Sequence, residues 1–71
     1  MTRSNSLMAP HLQRLVKERS ELGDKIALLA LYVDGYSFRS LPANEQALLT
    51  RQLAVMGEYR GILDQRIKGF Q

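Results

Sequence analysis

The apolar residues of this chain fall into two stripes whose steps alternate between three and four. The first runs through Met8, Leu12, Leu15, Arg19, Leu22, Ile26, Leu29 and Val33, with Arg19 as its one polar interruption. The second runs through Gln46, Leu49, Leu53, Met56, Arg60, Leu63, Ile67 and Phe70, with an arginine again near its middle. Such a heptad stripe marks a helix packed along its length on another. Between the stripes, Asp34-Gly-Tyr-Ser-Phe-Arg-Ser breaks the pattern. Gly35 is placed to end the first helix in a left-handed cap conformation. Pro42 suits the first turn of the second helix, behind Ser40 or Leu41 as cap. No segment alternates β-branched or aromatic residues over a useful length, so no strand is predicted.

The predicted fold is all-α: an antiparallel two-helix hairpin with a coiled-coil-like seam. Residues 1–9 read as a flexible N-terminal tail and 10–71 as the hairpin, with a helix over about 10–34, a loop over 35–41 and a helix over about 42–69. Helices joined by a short loop lie antiparallel, so facing positions share a nearly constant sum of residue numbers. Val33 with Gln46, Leu29 with Leu49, and so on to Met8 with Phe70, give 79 or 78 throughout. That register sets Arg19 opposite Arg60. Two guanidinium groups facing one another in an apolar seam cost several kcal/mol unless something offsets their charge. Three arrangements do so. The side chains snorkel to the edge of the seam or pair with Glu18, Glu58 or Asp64; they meet a carboxylate of another protomer; or they hold an anion in their forked geometry.

Apolar residues also lie outside the seams. Leu28, Leu31 and Tyr32 on the first helix, and Leu48, Val55, Tyr59 and Ile62 on the second, have no second layer within the chain to cover them. With 71 residues, no cysteine and one histidine, neither a disulfide nor a common zinc spacing can stabilise so small a core. The expectation is a homo-oligomer, a dimer or larger, forming a helical bundle, with Leu28, Leu31, Tyr32, Leu48, Val55 and Ile62 at the interface. Gly23, Gly57 and Gly61 lie off the seams, where they permit close approach of neighbouring chains.

Composition narrows the chemistry. The formal net charge is +3, and eight charges between Arg14 and Asp34 interleave in sign, as on a solvated helix face. This balance fits an anionic ligand but lacks the dense basic stripe of a nucleic-acid binder. The longest apolar run, Ile26 to Val33, has eight residues, too few for a membrane span. The polar start carries no signal-peptide core, so a cytoplasmic protein is expected. Catalysis finds no support: His11 stands alone near the start, and there is no glycine-rich phosphate loop, metal motif or cofactor motif. No catalytic residue, metal or cofactor is therefore expected. The candidate ligand-binding residues are Arg19 and Arg60, together with Tyr36 and Arg39 of the loop and Tyr59 beside Arg60. Aromatic faces with guanidinium groups suit stacking on a base and holding a phosphate. Phe38 and Leu41 are expected to fold back and plug the open end of the hairpin.

Leu15-Val-Lys-Glu-Arg-Ser-Glu-Leu22, Asp24-Lys-Ile26, Phe38-Arg-Ser-Leu41, Glu45-Gln-Ala-Leu-Leu49, Arg51-Gln-Leu53, Met56, Glu58-Tyr59, Ile62-Leu63 and Arg66-Ile67 carry a resemblance over about residues 10–68. In these pieces the chain resembles very small phage-encoded, crAss-phage-related helical-hairpin proteins. Those are similar to the hairpin domain of anti-CBASS and anti-Thoeris signal sponges. The resemblance implies a phage or prophage protein in the cytoplasm of an infected bacterium. It further implies an oligomer that captures a cyclic nucleotide or cyclic ADP-ribose signal, and it carries over no ligand-contacting residue. The alternative expectation is a phage protein that grips a host protein through an exposed helical face.

Overall fold

The computed structural model describes residues 2–70, with side chains described from Ala9 onward. Helix α1 spans Thr2–Val33, a single turn α2 spans Tyr36–Arg39, and helix α3 spans Ala43–Lys68. The long helices pack antiparallel as a hairpin, a rod of 56 × 14 × 13 Å. Helical backbone thus begins at Thr2, covering most of the stretch expected as a tail. Pro10 accordingly lies inside α1 rather than in its first turn. Met8, the first residue of the expected seam, lies outside the described side chains.

Every seam position from Leu12 to Val33 and from Gln46 to Phe70 is buried or half-buried. Leu15, Leu22 and Leu63 form the core, with Leu63 at 0% exposure and Ile26, Met56, Ile67 and Phe70 packed around them. The stripes work because side chains three and four apart share one face of a helix.

The register differs from the expected one. Arg19 bonds to Asp64, and His11 stacks at a tilt on Phe70 with ring centroids 5.6 Å apart. These pairs sum to 83 and 81, so side chains meet about three positions further along than pairing at 78 or 79 requires. Leu63 consequently sits with both Leu15 and Leu22, at the level of Arg19. By the same register Arg60 falls about one layer away from Arg19. In an antiparallel pair, a residue of one step packs beside the residue of the other step on its partner, which interleaves the side chains instead of meeting them head-on.

The turn differs in detail too. Gly35 is extended at φ −98°, ψ 177°, and no glycine among the described residues has a positive φ. The end of α1 closes instead by tightening, with the Gly35 amide donating to the Tyr32 carbonyl at 3.0 Å. Pro42 occupies the N-cap of α3, where neither Ser40 nor Leu41 supplies a side-chain cap. In the first turn of α3, Gln46 donates from Nε2 to the loop carbonyls of Leu41 at 2.8 Å and Arg39 at 3.3 Å. The polar residue that opens the second stripe thereby ties α3 to the loop. Phe38 is buried at the open end against Tyr32, edge to face with centroids 6.3 Å apart, and Leu41 is half-buried. Both fill the role expected of them.

The hairpin leaves two broad faces. With Leu12 and Gln46 as heptad position a, positions c and g share one side of an antiparallel pair, and b and e share the other. The c and g side carries Leu28 and Tyr32 from α1 and Leu48, Val55, Tyr59 and Ile62 from α3, all exposed. Leu31, 72% exposed, lies beside them at f. The b and e side carries Val16, Ser20, Gly23, Ala27 and Ala30 against Ala47, Thr50, Ala54, Gly57 and Gly61. The first face is apolar along α3 and the loop half of α1 and turns charged further along α1, where Arg14, Glu18, Glu21 and Lys25 take its c and g positions; the other face is low and small.

Candidate functional site

Arg19 and Arg60 both occupy position a, which borders the small-residue face. Arg19 extends along α1 so that Nη1 lies 3.7 Å from where a Cβ on Gly23 would stand. It crosses to α3, donating from Nε to Asp64 Oδ1 at 2.6 Å and from Nη2 to Oδ2 at 3.4 Å. Arginine forks match carboxylates in this two-point manner. Of the three arrangements open to the sequence, Arg19 adopts the edge position with Asp64 as its partner. It keeps 41% of its side chain exposed.

Arg60 stands one turn before Asp64 on the same helix and is half-buried. Among the described residues it has no ion pair within bonding distance. Its charge nevertheless reaches Asp64. The hydrogen bond from Arg19 lowers the Asp64 pKa, and the charges of Arg19 and Arg60 add to that. Desolvation opposes the shift. The Arg19 pKa is raised by the same hydrogen bond and by the Asp64 charge. One carboxylate thus serves two guanidinium groups, leaving a net positive cluster on an open face.

The backbone around the cluster is bare. A Cβ added at Gly57 or Gly61 would meet nothing within 4 Å, so packing inside the chain does not require glycine there. The glycines lower the floor of the face beside Arg60 and Asp64. A flat anionic group can approach such a floor more closely than it could an alanine-lined helix.

The other candidates lie elsewhere. Tyr36 is 81% exposed and Arg39 is exposed, both in α2. Arg19 lies fourteen residues before the end of α1, about 21 Å along the helix axis. One small ligand on one hairpin therefore cannot touch both groups. Tyr59 turns about 100° away from Arg60 and joins the apolar face of Val55 and Ile62. His11 is exposed. A shallow open groove of about 560 Å³ on α1, lined by Leu12, Gln13, Val16, Lys17, Ser20 and Glu21, contains none of the candidate ligand residues.

Asp64 is the residue the spacing left undecided, because the two stripes alone did not choose among Glu18, Glu58 and Asp64. Gln46 was legible only as a polar seam position, and its bonds to the loop depend on where the chain turns. Among the described residues no three His, Cys, Asp or Glu side chains gather in a metal-holding group. Among the described residues no helix is long and apolar enough to cross a membrane.

Comparison with curated proteins and with solved structures returns no match. A model of the Sequestin family matches residues 9–69, a span that holds the loop, the arginine cluster and both seams apart from their end residues Met8 and Phe70. The chain belongs to the Sequestin family, a family of sequestering rather than catalytic proteins.

Proposed function

We propose that this protein is a phage sequestering protein that binds a cyclic nucleotide-type immune signal without changing it, and so blocks host anti-phage defence. Family membership over residues 9–69 carries this reading. The arginine cluster supports it: Arg19, Asp64 and Arg60 offer a positive, hydrogen-bonding edge beside the glycine-lined floor of Gly57 and Gly61. Sequestration requires tight, preorganised binding and no acid, base or nucleophile. Tyr36 and Arg39 form a second, separate candidate contact at the loop end, suited to a ligand shared between protomers.

Thermal melting with and without cyclic nucleotides and cyclic ADP-ribose isomers tests the reading. A ligand that binds only the folded form, at a hundred times its dissociation constant, adds about 2.7 kcal/mol. A rise in melting temperature with one member of the panel, and its recovery unaltered after heat release, supports sequestration. No shift with any of them overturns it. The exposed apolar face favours a second reading, a grip on a host protein, which co-purification of one defined host protein in stoichiometric amount would support.

A further inference from the structure

The second apolar stripe on α3 is a seam in its own right. Leu48, Gln52, Val55, Tyr59 and Ile62 follow the same three-and-four spacing as the hairpin seam, at positions g and c, and Glu45 and Arg66 extend it at either end. The four apolar members are all exposed. Glu45 lies in the first turn of α3 and Arg66 in the last, so the stripe is acidic at one end and basic at the other.

We infer that this face docks on a second copy of the chain, α3 against α3 and antiparallel, about a two-fold axis beside Val55. Under that symmetry Leu48 of one copy lies level with Ile62 of the other, Gln52 with Tyr59, and Glu45 with Arg66. Leu48 meets Ile62 as apolar on apolar, the Gln52 amide lies level with the Tyr59 ring, and opposite charges meet at both ends. A parallel pairing would set Glu45 on Glu45 and Arg66 on Arg66. The hairpin register reinforces the choice of axis: Leu28 on α1 is level with Val55, at the same sum of 83 as Arg19 with Asp64. Leu28 therefore lies on the axis as well, and the two copies build one central layer from both residues.

A dimer joined in this way keeps the opposite face, with Arg19, Asp64 and Arg60, outward on both sides. It therefore presents two equivalent positive faces per assembly.

The chain contains no cysteine, so single cysteines report geometry without background. Light scattering is expected to give about 16 kDa or a multiple of it, from an 8.1 kDa chain. With a short bis-maleimide, Val55→Cys is expected to cross-link to itself. Leu48→Cys alone is not, because its two copies stand about 21 Å apart along the axis. A mixture of Leu48→Cys and Ile62→Cys chains is expected to join. Glu45→Arg alone weakens self-association about tenfold, and adding Arg66→Glu restores it. A monomer at micromolar concentration overturns the inference. So does self-linking of Leu48→Cys and Ile62→Cys each alone, which reports a parallel pair, or failure of Val55→Cys to link in an oligomer. These readouts involve no nucleotide, so they stand apart from the melting test of the proposed function.

Discussion

Arg19 of α1 and Asp64 of α3 join the two helices at the edge of the seam through a two-point bond, 2.6 Å from Nε and 3.4 Å from Nη2. The contact has a pH signature. Because the folded state lowers the Asp64 pKa, its contribution to stability is complete above the ordinary carboxylate range and is lost as pH falls through the lowered value. Melting temperature is expected to decline over that acid range. Asp64→Asn is expected to flatten this part of the profile while leaving the neutral-pH fold in place by circular dichroism. An acid limb identical in the two proteins would show that Asp64 does not contribute.

Leu63 is the most enclosed of the described side chains and packs with Leu15 and Leu22. Replacing it with alanine removes the centre of a very small core, and Leu63→Ala is expected to cost about 2–5 kcal/mol. Denaturant melts should show most of the stability gone. A cost below about 1 kcal/mol would mean that the helices repack in another register.

Gly57 and Gly61 carry the helix-propensity cost of glycine with no packing need inside the hairpin. Gly57→Ala and Gly61→Ala are each expected to stabilise the chain by about 0.8–1 kcal/mol, read as a rise of several degrees in melting temperature. If the bare floor receives a ligand, the same substitutions weaken binding while raising stability. Equal affinity in the alanine variants would remove these glycines from the site.

The arginines separate in a similar way. Arg19→Leu together with Arg60→Leu is expected to keep the helical content and abolish binding of the ligand found in the melting screen. Full binding by the double variant would assign Arg19 and Arg60 to structure alone and shift attention to Tyr36 and Arg39. Because Tyr36 is almost wholly exposed, Tyr36→Ala should leave stability within about 0.5 kcal/mol. Any loss of affinity in that variant is then attributable to direct contact.

Phe38 and Tyr36 stand two residues apart in α2 and face opposite environments. Phe38→Ala is expected to cost about 3 kcal/mol or more, since it opens the capped end beside Tyr32. Denaturant titration of the Phe38 and Tyr36 alanine variants side by side measures the contrast. Near-equal stability would mean that Phe38 does not seal the hairpin.

By itself the sequence determined the hairpin, its two seams and the apolar surplus of Leu28, Leu48, Val55 and Ile62. These follow from helical periodicity and from the rule that a short loop forces neighbours to lie antiparallel. It also marked Arg19 and Arg60, since a charged residue interrupting an apolar stripe is visible without coordinates. The register was not legible. A stripe of alternating threes and fours nearly repeats itself when slid by three or four residues, so the pattern fits pairing sums near 78 and near 82 almost equally well. Only the tertiary structure broke that degeneracy, through the turn of α2, the Phe38 plug, the Gln46 bonds to the loop and the packing of Leu63 with Leu15 and Leu22. With the register went the site. The same slide that parts Arg19 from Arg60 by a layer brings Arg19 to Asp64, because side chains on facing helices interact only at the level where packing holds them.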